Sequence, residues 1–221
     1  MEPKPEKTRI AFYGGSFDPV HRGHLAIARG LTEQFEIDEF VFVPAFHAPH
    51  KKRLAPTSAI DRYAMLALAT NNESNISVSK IEMDVPHKPY TVDTLTRLNE
   101  LLPDAQLFFV MGADSWRDIR TWREWEKVLS LTDHIVVTRP GYQVSGDHLT
   151  SEIVDRIVDA RGENRIRLPD DTENRIYFTD VVNMDVAASE IRKKIRENDD
   201  DWRSDVTVEV AKYIQKYQIY S

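Results

Sequence analysis

Gly14-Gly15-Ser16-Phe17-Asp18-Pro19-Val20-His21-Arg22-Gly23-His24 follows directly on the apolar run Arg9–Tyr13 and leads into a helical pattern from Arg22 to about Gln34. Two adjacent glycines at the end of a buried strand let backbone N–H groups turn toward an incoming anion with no Cβ in the way. His21 and His24 stand three apart at the helix start, so both imidazoles share one face. Gly23 between them leaves room for a bulky group to approach the backbone. A helix N-terminus adds partial positive charge and free N–H donors, which favour phosphate. Two imidazoles beside such a site are donors for phosphate oxygens. They suit electrostatic stabilisation of a phosphoryl transition state better than nucleophilic attack. The plainer alternative is a tight turn whose histidines only satisfy the helix start; the preceding buried strand and Gly-Gly turn favour the functional reading.

Outward from this stretch, short apolar runs alternate with amphipathic ones. Strands are expected at Glu39–Pro44, Ile76–Met83, Gln106–Met111, His134–Thr138 and Arg175–Thr179. Helices are expected at Thr57–Thr70 (capped by Thr57 or Ser58), Thr91–Leu102, Arg123–Leu131, His148–Arg161, Ser189–Glu197 and Asp205–Tyr217. This alternation predicts βαβ units: an α/β fold of Rossmann-like type, a parallel sheet with helices on both faces and a small helical C-terminal portion at about 187–221. In such open sheets ligands sit beyond the carboxyl ends of the strands. A flexible stretch at 1–7 and a single domain over 8–221 are expected, with looser segments at 45–56 and 162–174.

The 221 residues include 29 Lys plus Arg against 36 Asp plus Glu, a net charge of −7, which speaks against a general nucleic-acid-binding surface but not against a local basic pocket. No apolar run approaches the roughly 18 residues needed to span a bilayer. The polar start lacks the apolar core of a secretion signal, so a cytoplasmic globular protein is expected. With no cysteine, thiolate metal sites, disulfides and thiol nucleophiles are excluded. There is no G-x-x-x-x-G-K-[ST], no G-x-G-x-x-G after a strand and no H-E-x-x-H. No metal held by protein side chains is expected; any Mg²⁺ arrives mainly with a phosphate-bearing ligand. Oligomeric state is not legible.

Three further groups carry chemistry. His47, His50, Lys51, Lys52 and Arg53 form a basic island in an acidic chain, either a solvated loop or a loop that brings charge onto a polyphosphate, with Lys51 the foremost candidate. Ser189 and Arg192 lie one helical turn apart at a predicted helix start, where a hydroxyl cap and a guanidinium can clasp phosphates or simply begin a helix. Asp114 ends the most apolar strand, placed to accept hydrogen bonds from a ribose or to help position a metal-bound nucleotide, or else to cap the next turn. Trp116, Trp122 and Trp125 follow; aromatics near a helix are usually packing residues.

G-G-[ST]-F-D-P-x-H-x-G-H at the first strand–helix turn resembles the nucleotidyltransferases that share the H-x-G-H signature. More narrowly, the chain resembles the bacterial nicotinate-nucleotide adenylyltransferase family. Phe42-Val43-Pro44 with His50-Lys51, Pro89-Tyr90-Thr91-Val92-Asp93-Thr94-Leu95, Met111-Gly112-Ala113-Asp114-Ser115, Trp122, Val137-Thr138-Arg139-Pro140-Gly141 and Ser189-Glu190-Ile191-Arg192 match that family in order. The resemblance runs from about residue 8 to Tyr220. It implies attack of nicotinate mononucleotide phosphate on the α-phosphorus of ATP, giving the dinucleotide and pyrophosphate in NAD biosynthesis, with no covalent intermediate.

The resemblance also implies roles. His21 and His24 serve the α-phosphate and transition state. Gly14, Gly15, Ser16, Phe17, Gly112 and Asp114 line the nucleotide site, while Lys51, Ser189 and Arg192 hold the polyphosphate. Trp122 stacks on the pyridine ring, Tyr90 and Thr91 close around it, and backbone amides at Thr91 and next to Trp122 hold the carboxylate, favouring the acid over the amide. One departure stands out. The family's I-S-S-T-x-x-R reads Val186-Ala187-Ala188-Ser189-Glu190-Ile191-Arg192 here, and each lost hydroxyl bond weakens phosphate binding by about 0.5–1.5 kcal/mol. Two alternatives remain at this level: a transferase for another phosphorylated acceptor such as phosphopantetheine, and a non-catalytic nucleotide-binding protein.

Overall fold

A run such as Leu107-Phe108-Phe109-Val110-Met111 puts apolar side chains on both faces of a strand and needs cover on each. All five residues are 6% exposed or less, which makes theirs a central strand. The computed structural model describes residues 7–46, 57–85, 89–138, 144–169, 173–182, 184 and 186–221. Within them the strands are β1 (Arg9–Gly15), β2 (Glu39–Pro44), β3 (Ile76–Val78), β4 (Gln106–Gly112), β5 (Asp133–Val137), β6 (Ile157–Asp159) and β7 (Ile176–Thr179). They form a sheet in the order β3-β2-β1-β4-β5-β7-β6, parallel throughout.

The helices are α1 (Arg22–Phe35), α2 (Ala59–Ala69), α3 (Thr91–Leu101), α4 (Ala113–Arg117), α5 (Trp125–Leu131), α6 (Ser151–Val154), α7 (Ala188–Arg196) and α8 (Val208–Lys216). Helices α1, α2, α7 and α8 cover the face that carries Ala11, Tyr13, Phe108 and Val110. Helices α3, α4, α5 and α6 cover the opposite face, with Ile10, Phe12, Phe109 and Met111. The predicted α/β architecture is therefore present, including a helical C-terminal portion in which α7, a 3-10 segment at Asp200–Asp205 and α8 follow one another. No helix among the described residues is long and apolar enough to cross a membrane.

Several boundaries differ from the sequence pattern. The helix expected over 148–161 is only the four-residue α6; the chain then extends into β6, whose Ile157 and Val158 pair with Ile176 and Tyr177. Pairing with β7 overrides the local pattern, and Arg156 secures the change by donating to the Asn174 carbonyl at 2.7 Å. Strand β3 stops at Val78 rather than at Met83, because Met83 and Asp84 turn back onto the Lys80 carbonyl. Ser58, not Thr57, caps α2, accepting from the Asp61 amide at 3.1 Å. The final helix begins at Val208, where the Thr207 hydroxyl accepts from the Val210 amide.

Strand order reverses direction between β1 and β4, whose ends carry Gly14-Gly15 and Gly112. Such a switch point leaves a crevice beyond the strand ends, because neighbouring crossovers depart to opposite faces of the sheet.

Candidate active site

Beyond β1 the chain turns through Phe17, which has φ +48°, and enters α1 at His21. The His21 amide donates to His24 Nδ1 at 3.2 Å. An imidazole nitrogen that accepts an N–H carries no proton, so in the neutral ring the proton sits on Nε2 of His24. The two rings stack with centroids 3.6 Å apart. Phe17 packs edge-on against His24 at 5.0 Å and fixes its plane. His21 is buried. The room at Gly23 goes to this ring: a Cβ there would sit 3.1 Å from His21 Nδ1. A Cβ at Gly15 would come within 2.7 Å of the Phe17 ring, so a side chain there forces the buried Phe17 to shift.

The turn opens into a cleft of about 560 Å³ bounded by the ends of β1, β4 and β5, the start of α1 and the start of α7. Gly14, Gly15, Ser16, Phe17, His21, His24, Gly112, Asp114, Ser189 and Arg192 all line it. A Cβ at Gly112 would meet nothing within 4 Å and would point into open cleft. Arg192 donates through Nη1 to the Asp18 carbonyl, which leaves other guanidinium N–H groups for a ligand. The cap of α7 is Ala187, with no side-chain hydrogen bond, and Ser189 lies inside the first turn rather than at the cap. Asp114 is exposed in the first turn of α4 and pairs with Arg117 at 3.1 Å.

Tyr90, Thr91 and Trp122 lie elsewhere. Tyr90 caps α3 and Thr91 begins it, on the sheet face opposite α1 and α7. Trp122 packs edge-on to Phe109 at 6.3 Å. Arg123 brings the two together, its guanidinium 4.8 Å from the Tyr90 ring centroid. The Trp122 amide donates to the Ile119 carbonyl at 2.9 Å. Gly14 lies between the two regions, since a Cβ there would touch the Phe109 ring at 3.1 Å. Trp116 is core: 1% exposed, with its indole N–H on the Ser145 carbonyl. His47, His50, Lys51, Lys52, Arg53 and Arg139 lie outside the described residues.

Three residues that support the site escaped the sequence reading. Arg62, 1% exposed, donates to the carbonyls of Ser16 (2.7 Å), Ala45 (2.6 Å) and Thr57 (3.0 Å). Its signal was a charge on the apolar face of α2, in line with Met65, Leu66 and Ala69. Glu82 accepts from the Thr94 hydroxyl at 3.0 Å and the Phe46 amide at 3.3 Å, and burial pushes its carboxyl pKa up. Tyr220 donates to Asp18 Oδ1 at 2.7 Å; burial, then the nearby Asp18 charge, push its phenol pKa up. No local pattern marks a tyrosine that acts across 202 residues of sequence.

The sequence matches the cytidylyltransferase-like family over residues 12–194. The probable nicotinate-nucleotide adenylyltransferase of Mycolicibacterium vanbaalenii is 34% identical over 212 residues, spanning 96% of this chain and 92% of its own. That of Thermus thermophilus is 44% identical over 134 residues, 61% of this chain and 71% of its own. The Plasmodium falciparum nicotinic acid mononucleotide adenylyltransferase complexed with NaAD superposes with a TM-score of 0.74 at 23% identity, covering 97% of this chain and 98% of that one, a likeness of fold.

Proposed function

The chain belongs to the cytidylyltransferase-like family and, within it, to the nicotinate-nucleotide adenylyltransferases, and from that premise we propose that its cleft joins nicotinate mononucleotide to the adenylyl group of ATP. The observation that carries this reading is the stacked His21–His24 pair at the start of α1, beside Gly14-Gly15 at the switch point of the sheet.

ATP takes the α1/α7 side of the sheet edge, with its adenylyl phosphorus above the Gly15 turn. His24 Nε2–H, His21 and the first amides of α1 donate to the oxygens of the α-phosphate. Ser189, Arg192 and the uncapped N-terminus of α7 hold the polyphosphate, with Lys51 of the basic island assigned to the same task. The pyridine nucleotide comes from the other side, its ring on Trp122 and between Tyr90 and Thr91, its carboxylate on the amides of Thr91 and Arg123. Its phosphate oxygen then attacks the α-phosphorus in line. A P–O bond forms to the nucleotide, the α–β bridging P–O bond breaks, and pyrophosphate leaves with the bridging oxygen and its electron pair. Alignment of two anions and spreading of developing charge supply the rate, without a covalent intermediate.

Mg²⁺ fits as an ion carried by ATP. Among the described residues no three His, Asp or Glu gather as a metal site. Of the two acids that line the cleft, Asp18 is buried and bonded by Tyr220, which leaves Asp114 to face a metal-bound nucleotide. The ion would neutralise charge on the phosphates and the leaving pyrophosphate. We place the enzyme in the cytoplasm.

The test is pyrophosphate release with ATP and Mg²⁺, run in parallel with nicotinate and nicotinamide mononucleotide. Turnover with the acid and little with the amide is the expected result. Equal turnover overturns the carboxylate assignment. No turnover from folded protein that binds ATP overturns the reaction.

A further inference from the structure

Two charged side chains, the buried Arg62 and the half-buried Glu82, lie outside the cleft lining yet bond to backbone that borders it. Arg62 draws three backbone carbonyls together: Ser16 of the phosphate turn, Ala45 after β2 and Thr57 before α2. The Ala45 amide also donates to the Gly15 carbonyl at 2.9 Å, so the end of β2 is bonded to the phosphate turn twice. The next residue, Phe46, donates its amide to Glu82. Glu82 takes its second bond from the Thr94 hydroxyl, which lies 3.4 Å from the Tyr90 carbonyl in the first turn of α3. A continuous series of contacts thus runs Ser16–Arg62–Ala45, Phe46–Glu82–Thr94–Tyr90, joined at adjacent residues.

Fold stability alone explains this poorly. A buried guanidinium whose hydrogen bonds go to backbone carbonyls bears a large desolvation cost that the Asp18 and Glu82 charges offset only in part, and apolar residues of similar volume usually serve a core as well or better. Burial lowers the Arg62 pKa and raises that of Glu82, the direction expected of groups placed against their own solvation. What the two charges accomplish is to fix two turns that belong to different substrate regions.

We propose that Arg62 and Glu82 are positioning residues that tie the phosphate turn to the first turn of α3, so that ATP and the pyridine nucleotide each tighten the other's binding. The inference rests on the functional reading above. Its physical basis is shared ordering: a ligand that immobilises one turn leaves less conformational entropy to be lost when the second ligand binds. Linkage makes the effect reciprocal.

The experiment is a calorimetric titration of nicotinate mononucleotide into the full chain, with and without a saturating ATP analogue bridged by an α,β-methylene group. Wild type, Glu82→Gln, Arg62→Lys and Thr94→Val are compared. In wild type the analogue is expected to tighten the mononucleotide by roughly fivefold or more, the range of coupled sites. In the variants the factor is expected to fall to about one. A purely structural weakening lowers both affinities and leaves their ratio unchanged, so the ratio separates positioning from stability. The Glu82→Gln/Arg62→Lys pair is expected to lose no more coupling than either alone, as members of one network do. Should the charged-site variants fail to fold, Thr94→Val, which deletes a single hydroxyl, carries the test. A wild-type factor of one, or an unchanged factor in folded Thr94→Val, overturns the inference. Turnover without linkage sinks this inference alone; a wild type with neither binding nor turnover sinks the functional reading with it.

Discussion

His24 commits Nδ1 to the amide at the helix start and thereby keeps its proton on Nε2, a tautomer set by backbone geometry rather than by a second side chain. In the proposed reaction, a donor fixed in that way acts on charge that develops in the transition state. Its removal is expected to lower kcat far more than it raises KM: His24→Ala loses about 10²–10³ in kcat, as for other preorganised donors, with the thermal midpoint little changed. Steady-state kinetics beside a melting curve check this, and a loss confined to KM would reassign the residue to ground-state binding. Trp122 is expected to behave oppositely. Trp122→Ala raises KM for the mononucleotide and spares KM for ATP, since the indole packs on Phe109, on the sheet face away from the ATP cleft.

At the scale of elements, α7 is capped by Ala187, a poor cap without a side-chain acceptor, and its first residues line the cleft. Ala187→Ser supplies the missing oxygen. It is expected to stabilise the chain by up to about 0.5–2 kcal/mol, the usual range for a cap hydroxyl, and to lower KM for ATP. An unchanged KM beside a raised melting temperature would limit the substitution to a structural role. Strand β5 carries a different liability. His134 is fully buried, its Nδ1–H donates to the Thr132 carbonyl, and burial holds its pKa down at about 3. The unfolded chain titrates near 6.5, so as pH falls below that value the unfolded state takes up a proton that the folded state refuses. Stability is therefore fully present above about 6.5 and declines toward pH 3. Melting curves across that window are expected to show the decline, and His134→Leu to flatten it. A wild-type midpoint that stays level from 6.5 to 4 would contradict this account.

Over the whole molecule, the sheet separates the cleft from the Tyr90–Trp122 region, and the last residues of the chain return to the first turn through the Tyr220–Asp18 bond. Tyr220→Phe leaves a buried carboxylate oxygen without its donor, at a cost of about 1–3 kcal/mol. A lowered melting temperature together with a raised KM for ATP is expected; a change in melting alone would separate the C-terminal contact from the phosphate turn. The parallel α/β architecture is legible in the chain alone, because runs such as Leu107–Met111 are apolar on both faces and alternate with amphipathic helices. The strand–helix turn that carries Gly14-Gly15 and the two histidines is legible there as well, because glycine freedom and helix-start histidines act within a few residues of one another. Tertiary structure decided the rest. A pairing partner, β7, turned 157–159 from helix to strand, and the opposite departures of α1 and α3 put Tyr90 and Trp122 on the other side of the sheet from Ser189 and Arg192. Arg62, Glu82 and Tyr220 gain their roles only from carbonyls, amides and a carboxylate far away in sequence. Hydrogen bonds of that kind leave no periodicity behind, since each depends on where the fold brings its partner.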